Sequence, residues 1–486
     1  MSEKNFKDSL KNGITNFNKG NFAESEIIFL NLLQKYPKNF DLYTYLIPSL
    51  ISQNKLGEAQ KYSKNFYKQS SDFREISTIY LGIINLKLGS VAESINFFME
   101  SKKINPKNYH TLLNLGIAYH QLKDNKNAVK YTLESIEINE NNSLAYQNLA
   151  SFLEDENELV KAMWYLEKAL KINNKDFDSL HALSLLQLLT LNYKNGLINF
   201  EKRFLTTHQI SRYTHLNKLS PGTDIKGKKI LVWHEQGMGD TIQFSRLANN
   251  LFDLGGVITL EVQKPLEKFL SNQFNFKVSS RIEDQHFDFQ IPLLSLLSYF
   301  DLDPKKIPKF QNHFKSDEKK FLLWKSKLPM AKDKLNIGLS ISGNKKHKKE
   351  YRRNIPLEKF IPFTNQFRIF LIQKEITKEE SSIIEQNKEI FFLGDDPDWE
   401  DFTDTSAIVE NMDFIISIDT SLIHLSGSMN KKSYLLLSSP PDWRWGYDMH
   451  NELNWYDSVH IIRQKFSGNW DDVIEKLNSI LKEINL

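Results

Sequence analysis

Asn114-Leu115-Gly116 and, thirty-four residues on, Asn148-Leu149-Ala150 decide how the N-terminal part of the chain is read. In each, a leucine suited to a buried helix face stands directly before a small residue. Working outward, Leu81-Gly82 and Leu183-Ser184 repeat the pair, and the small position continues back through Ile47 to Gly13. A second series, Ser25, Ala59, Ser94, Ala128, Ala162 and Gly196, runs twelve residues downstream, with successive spacings of 34, 35, 34, 34 and 34. Twelve residues further on come Pro37, Ser71, Pro106, Glu140 and Asn174, a turn position at which proline stops a helix. Two antiparallel helices approach closely only where small side chains meet. The period therefore predicts about six helix pairs over residues 4–205, with the first two most degenerate and Ile47 breaking the small-residue rule.

This pattern resembles the tetratricopeptide repeat (TPR) family. The resemblance implies an α-solenoid with a concave groove that holds an extended peptide or a partner protein. Asn114 and Asn148 fall at equivalent first-helix positions. In the repeat region of O-GlcNAc transferases, asparagines at this position grip a peptide backbone, which makes these two candidate peptide-binding residues. Solvated polar positions on a helix are the plainer alternative.

The whole chain has 486 residues, enough for about three compact units. Its 63 Lys plus Arg nearly balance 60 Asp plus Glu, so a dedicated nucleic-acid binder is not expected. With 40% hydrophobic and 12% aromatic residues, the chain can bury real cores. Zero cysteines exclude a disulfide scaffold, a thiolate nucleophile and cysteine-ligated metal sites. The start lacks the apolar stretch of a signal peptide, and no run of 18 apolar residues follows, so a cytoplasmic protein is expected.

Residues 206–228 read as a linker, and beyond them the helical period gives way to short β-branched runs alternating with helices. Strands are expected at 229–233, 257–262, 336–341, 368–372, 414–418 and 433–437, a helix at 241–251, and a Lys/Asp-rich break at 316–334. Two successive α/β series suggest two Rossmann-like lobes, 229–330 and 331–486, with a cleft between them. Ligands in such sheets sit at the carboxyl ends of strands.

After the first strand comes His234-Glu235-Gln236-Gly237-Met238-Gly239-Asp240-Thr241. Gly237 and Gly239 allow a tight turn and close approach, and a helix start favours negative charge. Asp240 can cap that helix, or act as general base toward an acceptor hydroxyl. The dinucleotide fingerprint is incomplete because Ile242 stands where a third glycine belongs, which weakens a nicotinamide-dependent oxidoreductase. In the second lobe, residues 344–353 carry six Lys/Arg and one Glu, either a solvated loop or a phosphate site. Asp419-Thr420-Ser421-Leu422-Ile423-His424 then enters a helix, where hydroxyls and free backbone N–H groups can cradle a diphosphate.

In combination these motifs resemble bacterial heptosyltransferase-like glycosyltransferases of the two-lobed GT-B type, nearest to a group that fuses TPRs to this domain. Gly-Met-Gly-Asp-Thr-Ile at 237–242 looks like the acceptor-lobe loop, and Asp-Thr-Ser-Leu-Ile-His at 419–424 like the donor-diphosphate motif, with Ser421 in place of its usual glycine. Further echoes are His347-Lys348-Lys349-Glu350, Arg353-Asn354-Ile355-Pro356-Leu357, Gln373-Lys374, Asp404-Thr405-Ser406-Ala407 and Pro441-Asp442-Trp443-Arg444-Trp445. Asn454-Trp455-Tyr456-Asp457 departs from the Ser-Pro-Trp-Tyr-Pro usual there. The resemblance implies Asp240 as catalytic base. It implies a nucleotide-sugar site drawn from Gly237, Gly239, Thr241, Asn344, Lys345, His347, Arg353, Gln373, Lys374, Asp404, Thr405, Asp419, Thr420, Ser421 and His424. It implies an inverting transfer with no metal and no cofactor, which makes Asp396-Pro397-Asp398 a surface turn. A protein acceptor is favoured by the repeats and a glycan by the lobes. The alternative is a TPR adaptor or scaffold whose GT-B fold is catalytically inactive and merely binds a nucleotide or a partner.

Overall fold

The computed structural model describes residues 3–206, 209–283, 286–302, 313–343, 350–447 and 455–483. Its contacts divide the chain into two compact units, Met1–Ser179 and Leu180–Leu486.

Six antiparallel helix pairs occupy the described N-terminal residues: Glu3–Asn18 with Phe22–Lys35, Tyr43–Ser52 with Leu56–Gln69, Arg74–Lys87 with Val91–Ile104, Tyr109–Gln121 with Asn125–Ile138, Ser143–Asp155 with Leu159–Ile172, and Phe177–Leu189 with Tyr193–Phe200. Between the helices of each pair one residue takes positive φ: Gly20, Asn54, Gly89, Lys123, Asn157 and Leu191. The amide of the residue that follows closes each turn, as in Asp124 N–H to Tyr119 O at 2.9 Å and Glu158 N–H to Leu153 O at 2.8 Å. The period of the small residues is thus also the period of the turns. The boundary at 179/180 falls inside the helix Phe177–Leu189.

The small positions do what their spacing implies. A Cβ added at Gly82 would lie 2.4 Å from the ring of Phe98, and one at Gly116 would lie 2.2 Å from Thr132 Oγ1. Phe98 is itself fully buried and cannot swing away. Ile47 is the exception, and volume exchange explains it. Sixteen residues after Gly13 and Gly82 stand Phe29 and Phe98, whereas sixteen after Ile47 stands Ser63, and both Ile47 and Ser63 are fully buried. Large faces small in either order. Gly82→Ala is expected to lose about 1–2 kcal/mol, overpacking outweighing the helix-propensity gain. Gly57→Ala, with nothing within 4 Å of the new methyl, should be neutral or slightly stabilising. Urea denaturation of the full chain followed by circular dichroism distinguishes them.

The second unit holds two parallel sheets. β1 (Lys229–Trp233), β2 (Val257–Glu261), β3 (Lys277–Ser279) and β4 (Phe289–Pro292) pair in the order β3-β2-β1-β4. β5 (Leu335–Ser340), β6 (Phe367–Leu371), β7 (Ile390–Phe392), β8 (Phe414–Ile418), β9 (Ser433–Leu437) and β10 (Val459–Arg463) pair in the order β10-β9-β8-β5-β6-β7. The chain therefore starts each sheet near its middle, builds outward on one side, then crosses to the other. The reversal lies between β1 and β4 in the first sheet and between β5 and β8 in the second, the kind of point at which parallel α/β sheets bind ligands. Ile337, Leu339, Phe360, Ile369, Ile416, Trp470 and Leu477 fill the core of the second sheet.

Three segments differ from expectation. The expected helix at 241–251 is two helices, Met238–Ser245 and Leu247–Asp253, meeting at Arg246. Within the expected break at 316–334 runs the helix Glu318–Lys327, capped by Asp317 and pinned by a fully buried Trp324. The linker lies along the first sheet: Leu219 N–H donates to Gln290 O at 2.9 Å, and Gln290 N–H to Asn217 O at 2.8 Å. Among the described residues no helix is long and apolar enough to cross a membrane.

Candidate functional site

The loop leaving β1 is fixed from beneath by a buried ion pair. Arg203 donates to both oxygens of Glu235, at 2.5 and 2.7 Å, and to Ser295 Oγ at 2.9 Å. Arg203 is fully buried and the Glu235 side chain is 2% exposed. Leu294 N–H also donates to Glu235, at 3.1 Å. The next anchor is Gln263 Nε2, donating to Gln236 O at 2.8 Å. His234 sits half-buried beside Arg212, and burial together with that charge pushes its pKa down to about 4, so it is neutral at physiological pH.

Gly237 then caps the helix Met238–Ser245. Asp240 Oδ2 accepts from Gly237 N–H at 2.9 Å, so the capping role is real. Its other oxygen, Oδ1, pairs with Arg444 Nη2 from the second sheet's side of the unit. Thr241 is buried, its hydroxyl 3.4 Å from Gly237 O. Gly239 is needed for a packing reason. A Cβ there would lie 2.8 Å from the His424 ring and 3.4 Å from Ser421 Cα. Two helix starts, one from each sheet, meet at this point.

The partner helix, Ser421–Ser428, follows β8 through Asp419 and Thr420. Thr420 is its N-cap but makes no side-chain cap bond; its hydroxyl lies 3.2 Å from Ser417 Oγ instead. The helix start is thus uncapped by its own side chain, though Ile423 N–H donates to Thr420 O at 3.2 Å, and an uncapped helix start is the usual basis of an anion site. His424 is 4% exposed, with Nδ1 3.0 Å from Tyr456 Oη, Nε2 3.6 Å from Asp419 Oδ1, and its ring stacked on Trp445 at 5.5 Å. Burial pushes the Tyr456 phenol above its ordinary value, so it stays protonated. Burial alone would raise the Asp419 carboxyl, but His424, Trp445 and Arg353 outweigh it and hold it below the usual carboxylate range. Arg353 Nη1 donates to Asp419 O at 2.8 Å.

The structure thus brings together Gly237, Gly239, Asp240, Asp419, Ser421, His424 and Arg353. Other candidates are held elsewhere by bonds of their own. Gln373 accepts from Ile341 N–H at 3.1 Å and donates to Glu375 O at 3.0 Å. Lys374 donates to Trp399 O at 2.6 Å and lies 4.0 Å over that ring, its pKa lowered by burial. Asp404 is fully buried, accepting from Trp324 Nε1 at 3.1 Å and Lys320 Nζ at 2.7 Å. Burial would raise its carboxyl, yet these donors hold it low. Thr405 accepts from Trp399 Nε1 at 2.8 Å. Asp396 and Asp398 both clasp Lys327 at 2.6 Å. Asn344, Lys345 and His347 lie outside the described residues, as does Asn454.

In the first unit, Asn114 donates to His110 O of its own helix at 2.8 Å, whereas the amide nitrogen of Asn148 is buried with no bond among the described residues. In the sequence Glu235, Arg444, Trp445 and Tyr456 stand only inside longer motifs and Arg203 stands outside them, whereas the structure sets all five against the segments 234–240 and 419–424. The run Trp443-Arg444-Trp445 is the one local signal, a cation set between two aromatic side chains.

A tetratricopeptide repeat family model matches residues 109–142 and 144–176, so the N-terminal region carries such repeats. The chain is 20% identical over 429 residues to Protein FlbA of Caulobacter vibrioides, covering 82% of this chain and 71% of that one. Solved structures similar to it include a thermophilic TPR protein of Thermus thermophilus, at 16% identity and TM-score 0.36, covering 38% of this chain and all of that one. Another is MamA of Desulfovibrio magneticus, at 17% identity and TM-score 0.31, covering 34% of this chain and 94% of that one.

Proposed function

We propose that the second unit is an inverting glycosyltransferase of the heptosyltransferase-like GT-B class. It moves a sugar from a nucleotide-sugar donor to an acceptor hydroxyl, while the repeats dock a protein acceptor or partner. One observation carries this reading. The Asp240 loop leaves the first sheet at its reversal point, the uncapped helix start at Ser421 leaves the second sheet at its own, and the two meet at Gly239 and His424. Crevices at such points hold ligands in parallel α/β folds.

In this mechanism Asp240 takes the proton of the acceptor hydroxyl as its oxygen bonds to the anomeric carbon. The bond from that carbon to the diphosphate breaks, the electron pair leaves with the nucleoside diphosphate, and the centre inverts. Charge on the leaving group is met by the N–H groups at the start of the helix Ser421–Ser428 and by the Arg353 cation beside Asp419. The pair Asp396 and Asp398 has no part in it, being engaged with Lys327.

A second reading, a repeat adaptor with an inactive transferase fold, is favoured by the engagement of both Asp240 oxygens. A thermal-shift panel of nucleoside diphosphates and their sugars separates the two. A ligand at a hundredfold excess over Kd adds about 2.7 kcal/mol, a shift of several degrees. One nucleotide family raising the unfolding temperature, with a sugar mass added to a co-expressed acceptor, supports the enzyme. If no nucleotide stabilises the chain, the adaptor stands. Protection by NAD alone would indicate a dinucleotide oxidoreductase.

A further inference from the structure

We infer that Arg444 is an anion receptor of this site, and that its pair with Asp240 is the resting arrangement that a diphosphate displaces. The inference rests on the glycosyltransferase reading and adds an order of events: filling the anion site is what releases the base.

Arg444 stands in a short turn, Trp443–Trp445, beyond the carboxyl end of β9. Its side chain is more than nine-tenths buried, at 9% exposure. Nη1 is held by Asp442, while Nη2 reaches Asp240 and, at 3.1 Å, Gln236 Oε1. Nε is buried and has no hydrogen-bond partner among the described residues. One edge of the guanidinium is therefore anchored to its own turn, and the rest faces the first sheet's loop with donor capacity unused. Burial pulls its pKa down to about 10, which still leaves it charged at neutral pH.

A second observation lies one helical turn from Asp240. Gln243 is fully buried, and neither its amide oxygen nor its amide nitrogen has a partner among the described residues. It lies four residues after Gly239, hence on the helix face that meets Ser421 and His424. A buried amide with both atoms unsatisfied is costly unless something polar completes it. A cation with a spare donor paired to Asp240, an unsatisfied amide one turn from Asp240 and an uncapped helix start packed on the same helix describe a site for a multiply charged oxyanion. A diphosphate fits better than the single carboxylate now there, because it offers more charge and paired oxygens to a planar fork. When it takes Nη2 and Nε, Asp240 Oδ1 is left free to accept a proton while Oδ2 keeps the cap.

The test is titration calorimetry on the full chain at fixed salt, with inorganic pyrophosphate and with UDP, GDP, ADP and CDP. Wild type, Arg444→Gln and Asp240→Asn are compared. Arg444→Gln is expected to weaken anion binding about tenfold or more, since a charge-assisted bidentate contact is lost. Asp240→Asn is expected to tighten it about threefold or more, because the competing carboxylate is gone. That opposite response distinguishes a receptor from a merely structural pair, and it holds even if Arg444→Gln fails to fold. Equal weakening in both variants overturns the inference, as does nucleotide binding that Arg444→Gln leaves unchanged; in the latter case the glycosyltransferase reading survives. Arg444-dependent pyrophosphate binding with no nucleotide preferred sustains the receptor and removes the glycosyltransferase reading. If wild type binds none of the five anions, both fall.

Discussion

Arg203→Ala is expected to destabilise the second unit by about 3–5 kcal/mol, a large effect for one substitution. The guanidinium is fully buried, sandwiched 4.4 and 4.5 Å from the rings of Phe200 and Phe204. Its removal leaves Glu235 deep in the protein without its cation. An uncompensated buried charge costs more than the pair contributed, so the loss exceeds that of a surface ion pair several-fold. The pair itself need not be a net gain. Arg203→Met combined with Glu235→Gln should recover most of the loss, because Gln keeps an oxygen for Leu294 N–H while Glu201, the other carboxylate that Arg203 touches, keeps Lys218 at 2.9 Å. Seven of the eight tryptophans lie in the second unit, so tryptophan fluorescence in urea reports its transition. A single-variant loss below about 1 kcal/mol would show that water enters the pair. The consequence extends to chemistry. Glu235 is five residues before Asp240, so within the second unit Arg203 steadies the loop that carries the candidate base.

What the sequence made legible followed from periodicity and strand ends. The helix pairs emerged because close approach demands a small residue every 34 positions or so, and that demand leaves a mark in one dimension. Ile47 hid the same rule, since its compensation by Ser63 lies sixteen residues away and is visible only once the pairs are aligned. Strands β1, β2, β5, β6, β8 and β9 were legible as continuous apolar runs, the pattern of strands buried on both faces. β3 and β7 have three residues each and lie at sheet edges, where little burial is required. β10 is likewise an edge strand, with an exposed His460 near its start. β4 ends in Pro292, tolerable only because it too lies at an edge.

The candidate site divides in the same way. Gly239, Asp240 and His424 were legible because they follow strands and open helices. Arg444 was not, because its carboxylate lies 204 residues away and nothing periodic links the two. At Gly239 the structure supplies a reason that the sequence did not show. The glycine fits a ligand-cradling loop, yet the atom nearest its missing Cβ belongs to His424. Close approach here serves the contact of two helices.

Asp240→Asn is expected to lower the turnover of sugar transfer by about 10²–10⁴-fold while leaving nucleotide binding in place. Asparagine has nearly the same shape, and its side-chain oxygen can still accept from Gly237 N–H, so the helix cap survives. What it cannot do is take a proton from an acceptor or neutralise Arg444. The second loss has its own signature. Without the carboxylate, Arg444 becomes a buried cation facing an uncharged amide, so the ligand-free variant should unfold at lower temperature than wild type. A diphosphate that then fills the vacated place should stabilise the variant more than it stabilises wild type, since it now resolves a buried charge as well as binding. Falling turnover, a lower starting temperature and a larger ligand-induced shift are three readouts that one structural role for Asp240 would not produce together. A capping residue alone would lose nothing on becoming asparagine. If transfer persists within a few-fold of wild type, Asp240 is a cap and the base must be sought elsewhere in the crevice.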